Sequence, residues 1–192
     1  MLVKIDPSEP PPRIKKIANA FYTLGWIGFV GQLGLAFVAV LALLFAASGR
    51  NVNPDREAGI GVGIFWSLLS LLVLCPAIVF AFRYTRIAKA LFRDPDAHWH
   101  PRKADTLQLL RLAVYIGFIG MLLAIVGAGT VIVGVMVAKT VSQPPGIAIT
   151  DPNKIVRALD VFVGLANIAL IAAHFVGTVT SLWLLDRIHH HQ

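Results

Sequence analysis

Four blocks of apolar residues, each longer than a soluble core helix needs, dominate this sequence. They run from about 17 to 47, 59 to 82, 105 to 138 and 155 to 188. About 20 such residues, rising roughly 1.5 Å each in a helix, cross the hydrocarbon of a bilayer. A chain in lipid must satisfy its own backbone N–H and C=O groups, so it spans as helices or as a closed barrel. The blocks lack the strict alternation of barrel strands and read as helices. Of 192 residues, 57% are hydrophobic and only 14% charged, with a mean hydropathy of +0.74. A soluble core of this size could not hide that much apolar surface. The expected fold is all-α, a single membrane domain over residues 1–192 with four transmembrane helices.

The boundaries follow from local chemistry. Pro10, Pro11 and Pro12 hold the first residues extended, and a helix can start at Arg13. Ser48-Gly49-Arg50 is expected to end it, with Gly49 as a left-handed cap. Asn53-Pro54-Asp55 and Asp151-Pro152 are start signals for the second and fourth helices, and Asp105 is a plausible cap for the third. Pro76 should kink the second helix by freeing a carbonyl one turn earlier. Cys75, the one cysteine, forms no disulfide or CxxC pair and reads as a small core residue. Beyond Phe82 the second helix can continue to 93 as an amphipathic extension, with Arg83, Arg86, Lys89 and Arg93 on one side and Tyr84, Ile87 and Leu91 on another. No cleavable leader is visible at the start, and the acid-containing, Pro-rich opening is unlike an organelle transit peptide; a bacterial origin is expected.

The formal net charge of +7 resembles a nucleic-acid signature until the charges are placed. Most flank the apolar blocks, where they meet anionic lipid headgroups and set orientation; no nucleic-acid partner is expected. Of the seventeen basic residues, Lys4, Arg13, Lys15, Lys16, Arg83, Arg86, Lys89, Arg93, Arg102, Lys103, Arg111 and Arg187 fall on the side of the termini. Arg50, Arg56, Lys139, Lys154 and Arg157 fall on the other. The positive-inside rule then puts both termini on the cytoplasmic (stromal) side.

Along the fourth block Asp160, Asn167, His174 and Ser181 recur every seven residues. Seven residues are two helical turns, so the four project from nearly one face of an otherwise apolar helix. A polar line at membrane depth marks either a functional pathway or a packing seam between helices. Centring about 20 residues in each block puts Gln32, Ser70 and His174 at similar depth, as partners around one midplane site. A buried neutral imidazole has one donor and one acceptor to satisfy, and Gln32 can supply either. Arg157, one turn before Asp160, can pair with it. Gly25, Gly28, Gly31 and Gly34 on the first helix, and Gly120, Gly127 and Gly134 on the third, form ridges without side chains that suit close helix packing.

Metal chemistry has three candidate residues in His174, His98 and His100. The linker pair shares a membrane side with His189, His190 and His191, and histidine-rich tracts bind metal by composition. Iron or another divalent ion would want several imidazoles or carboxylates. A lone His174 could also ligate the magnesium of chlorophyll. No HExxH, P-loop or GxSxG occurs, and no enzyme is expected.

Several stretches resemble a known family. They are Arg157-Ala-Leu-Asp-Val-Phe-Val, Ala166-Asn167, Ala173-His174-Phe175-Val176-Gly177 and Ser181-Leu-Trp-Leu-Leu, with Leu24-Gly-Trp-Ile-Gly-Phe, Gln32, Phe82-Arg-Tyr-Thr-Arg-Ile-Ala, Gly134 and Ala138-Lys139 elsewhere. The chain is similar to the chloroplast inner-envelope import component also called permease in chloroplasts, and to its cyanobacterial homologues. The resemblance implies a multi-pass protein of a cyanobacterial inner or thylakoid membrane, or of the chloroplast inner envelope in a plant. It implies a homo-oligomer or a subunit of a membrane complex, acting as an iron permease or as part of a preprotein translocon. Asp160, Asn167 and His174 are the positions it carries over. Around Asn167 the family has further polar residues where this chain reads Gly164-Leu165-Ala166. The rival expectation is a non-transporting scaffold that docks other membrane proteins through its glycine faces.

Overall fold

The computed structural model describes residues 12–52, 58–93, 103–141 and 156–189, almost all of them helical. Helix α1 spans Pro12–Val52 and α2 spans Ala58–Arg93. Helix α3 (Lys103–Val131) runs through a π-helical stretch, Ile132–Val137, into a closing turn, α4 (Ala138–Val141). Helix α5 spans Ala158–His189. Four helical spans are thus long and apolar enough to cross a membrane, by length and composition.

Helix α1 packs on α2 and α5, and α3 packs on α2 and α5. Among the described residues the backbones of α1 and α3 stay apart, whereas α2 and α5 meet across the bundle. Half of the most apolar stretch of α5 is buried, against 28% for each of the other spans. Most of the surface of α1, α2 and α3 therefore faces outward, while α5 forms the interior. The central core is built largely from small residues: Ala36, Ala39 and Ala42 of α1, Ala77 of α2, Ala124 of α3, and Ala166, Ala169 and Ala173 of α5. Lipid tails are as apolar as leucine, so helices associate through close packing, which small side chains permit. A second cluster, with Phe21, Tyr84, Leu110 and Leu184, fills the end where α2 and α5 finish. A third, with Ala46, Ile60, Val131, Val135 and Val163, fills the opposite end.

Several boundary expectations are corrected. Helix α1 passes Gly49 and ends at Val52, so Gly49 is not its cap. Its first residue is Pro12, whose missing N–H costs nothing where no intrahelical partner exists. Asp105 lies inside the first turn of α3 rather than before it, where its charge still favours the positive end of the helix dipole. Helix α2, by contrast, is continuous through Pro76, where a kink and not a break was expected, and it extends past Phe82 to Arg93 as expected. Cys75 is exposed, its thiol donating to the Leu71 carbonyl at 3.5 Å, and so is no core residue. Its place on the outward face follows from α2 turning Leu74 and Ala77 inward. Asn53-Pro54-Asp55, Asp151-Pro152, His98, His100, His190, His191 and the side chain of His189 lie outside the described residues.

Candidate functional site: a buried polar axis along α5

The four polar residues of α5 all point into the bundle. Asp160, Asn167 and His174 are fully buried and Ser181 is 2% exposed. At one end of the axis Arg157 precedes the first turn of α5. Its N–H donates to Asp160 Oδ2 at 2.9 Å, half of a reciprocal helix-capping arrangement. The same oxygen accepts from Lys139 Nζ at 2.9 Å, in an ion pair 8% and 0% exposed. The expected partner of this carboxylate was Arg157. Arg157 meets Asp160 through its backbone N–H, which caps α5, and Lys139 brings an ammonium to Asp160 Oδ2 across the interface.

The π-helical stretch explains how Lys139 gets there. A turn closed by i→i+5 bonds holds more residues than an α turn, so each residue rotates the chain less. Residues four apart then stay in line, and Val131, Val135 and Lys139 all face inward. The widening also turns Gly134 away: nothing lies within 4 Å of a Cβ placed there, and the expected Gly120–Gly127–Gly134 seam ends at Gly127.

Asn167 donates from Nδ2 to the Val163 carbonyl at 3.0 Å, and its Oδ1 lies against Gly127. His174 packs on Gly120 so closely that a Cβ there would overlap the imidazole. The Ser70 hydroxyl donates to the Gly120 carbonyl at 2.9 Å. Nε2 of His174 is 3.2 Å from both the Ser70 carbonyl and the Ser70 hydroxyl. With the serine proton committed to Gly120, the network assigns the imidazole proton to Nε2, which donates to the Ser70 carbonyl. This explains why Ser70, expected at this depth, joins His174.

Gln32 does not join them. It is 1% exposed and lies against Gly177, where a Cβ would overlap its amide. Its register on α1 places it about one helical turn beyond His174 along α5. There it borders a cavity of about 10 Å³, shared with Tyr84, Thr180, Ser181 and Gly117, the size that just admits one water. Ser181 donates to the Gly177 carbonyl at 2.9 Å and so accepts from the Tyr84 hydroxyl, also at 2.9 Å. Tyr84 is the residue sequence reasoning missed. It was assigned to the apolar side of the α2 extension, and that side proves to be the core.

Of the α1 glycines, Gly25 approaches Thr85 of α2, while Gly28 and Gly31 approach Thr180 and Val176 of α5; Gly34 has nothing within 4 Å and is no part of the seam. Gly117, not singled out in the sequence, receives Thr178. The axis carries an unusual share of unmet hydrogen-bonding capacity. Among the described residues, the buried side-chain atoms without a hydrogen bond are Asp160 Oδ1, Asn167 Oδ1, His174 Nδ1, both Gln32 amide atoms and Arg187 Nε. Every one is on α5 or on the residue facing Gly177. Each such atom costs about 1–3 kcal/mol when left unmet, a cost that interior polar groups tied to function commonly carry. No group of three His, Cys, Asp or Glu able to hold a metal occurs among the described residues. His174 has a serine and a glycine backbone beside it, and a chlorophyll on it would have to displace α3.

Residues 11–189 match the family described as "Protein of unknown function (DUF3611)". The chain is 32% identical over 182 residues to Protein TIC 21, chloroplastic, of Arabidopsis thaliana, an alignment covering 92% of this chain and 59% of that relative. It therefore spans less than two thirds of the relative's length. No solved structure matches it. With nearly its whole length inside one family match and a third of its aligned residues shared with TIC 21, the chain belongs to the DUF3611 family, the group of TIC 21 and the permease in chloroplasts.

Proposed function

We propose that this protein is a non-enzymatic, membrane-embedded transport or import component whose α5 polar axis is its working element. The observation that carries the reading is the concentration of unmet buried hydrogen-bonding atoms on that axis. Polar groups this deep in an apolar bundle are costly, and those that persist commonly line pathways. Kinship with TIC 21 supports a cyanobacterial membrane or the chloroplast envelope as its place. The distribution of basic residues supports termini on the cytoplasmic or stromal side.

Iron or another divalent ion is the cargo suggested by family resemblance. A passing ion would keep part of its water shell, or draw ligands from a second subunit, because the axis offers Asp160 and His174 about four helical turns apart. The test is uptake of Fe²⁺ or Mn²⁺ into proteoliposomes against empty vesicles. Uptake above background that His174→Ala abolishes, with the protein still folded, supports the reading; equal uptake by variant and wild type removes His174 from any pathway.

A specific observation favours a second reading. Gly120 and Gly127 seat His174 and Asn167 of the axis, and Gly177 seats Gln32 of α1, as expected of seams that fix helix register. The protein would then be an assembly subunit, and its lipid-facing surfaces would meet the partners. A stoichiometric partner in a native pull-down, with no ion flux, favours this alternative; self-association alone counts against it.

A further inference from the structure

At the end of the bundle where α1 begins and α5 finishes, a groove of about 430 Å³ opens between them. Its walls include Lys16, Asn19, Thr23 and Leu24 of α1, with Trp183 and Arg187 of α5. The Arg187 guanidinium sits over the Trp183 ring, 5.5 Å from its centre, which holds the cation at the groove wall. Its Nε is buried without a hydrogen bond. No carboxylate pairs with Lys16 or Arg187 among the described residues. Asp186 is adjacent in sequence, but consecutive helix residues do not share a face. Two cations thus converge on one recess with no counter-charge among the described residues.

We infer that this groove binds the phosphate of an anionic glycerophospholipid from the leaflet at that end. Arg187 and Lys16 neutralise the phosphodiester, and the guanidinium offers the planar donor fork that suits it. The Asn19 amide and the Thr23 hydroxyl face the polar headgroup. Leu24 and the indole of Trp183 continue the wall toward the acyl region, where Tyr22 and Trp183 are both part-exposed at interfacial depth. That apolar continuation is what selects a lipid over free phosphate. Basic recesses between transmembrane helices are suited to such headgroups.

Native mass spectrometry of the purified full chain, with phosphatidylglycerol or phosphatidylcholine added to the detergent, tests this. Phosphatidylglycerol adducts should persist where phosphatidylcholine adducts dissociate. At about 1 kcal/mol per basic residue, Lys16→Gln with Arg187→Gln should weaken phosphatidylglycerol binding about thirtyfold. Lys16→Arg with Arg187→Lys should retain most of it, and a matching thermal melt shows that both variants fold. A charge-matched pair on the same membrane side but outside the groove, Arg83→Gln with Lys89→Gln, should leave binding unchanged. Equal binding of the two lipids, or equal loss in the control pair, overturns the proposal. So does displacement of phosphatidylglycerol by inorganic phosphate at equal concentration, which would make the site a reader of free phosphate.

Discussion

Asp160→Asn isolates the buried ion pair at the end of the axis where α5 begins. The substitution keeps an oxygen that can accept from the Arg157 N–H but removes the charge facing Lys139 Nζ, 2.9 Å away. Losing one member of a buried pair costs about 3–5 kcal/mol, because the other is left charged and desolvated. Lys139 retains 8% exposure near the end of its helix, where a long side chain can shift toward the headgroups. The lower end, about 3 kcal/mol, is therefore expected. Asp160→Leu also forfeits the cap and should cost roughly 1 kcal/mol more. Lys139→Met with Asp160→Asn removes both charges and should fall within about 1 kcal/mol of the parent, a coupling of at least about 2 kcal/mol. Reversible SDS unfolding in detergent micelles, followed by circular dichroism, reads these three variants and the single Lys139→Met. If Asp160→Asn alone costs under about 0.5 kcal/mol, or the double variant loses as much as the two singles together, the pair is not the buried contact described here.

Gly120→Ala should destabilise the bundle by about 1–3 kcal/mol through overlap with His174, and His174→Ala in the same chain should restore most of the loss; the same unfolding assay measures both. Gly34→Ala and Gly134→Ala, with open space at the new methyl, should be neutral or gain up to about 1 kcal/mol in helix propensity. Tyr84→Phe deletes the hydroxyl bond to Ser181 and should cost about 1 kcal/mol in thermal unfolding. Gln32→Met removes two unmet polar atoms and should leave stability unchanged or raised; a marked loss would mean the amide is hydrogen-bonded in the membrane.

The four helices were legible because each apolar block is long enough to require a membrane, and the line Asp160, Asn167, His174 and Ser181 because seven residues return a helix to nearly the same face. What each of them meets was not legible. Composition and period describe one helix at a time, whereas partners depend on how two helices slide past each other. Ser70 and Gln32 looked equivalent by depth, yet a displacement of about one turn gives His174 only the serine. Tyr84 read only as one member of the extension's apolar side, away from Arg83 and Arg86, and nothing in that period shows that the side meets Phe21 and Ser181. Lys139 counted as an ordinary flanking charge because no sequence pattern announces a π-helical stretch.

That stretch makes the Lys139–Asp160 ion pair a matter of phase rather than of side-chain chemistry. If the same six residues wound as an α-helix, each would turn the chain further, and everything after them would rotate by about 100°. Lys139 would swing toward the acyl chains with its own identity intact. Losing one of these six residues would let the stretch wind as α with Lys139 still in phase, whereas the same loss in the α-wound part of the helix before them would turn Lys139 away from Asp160.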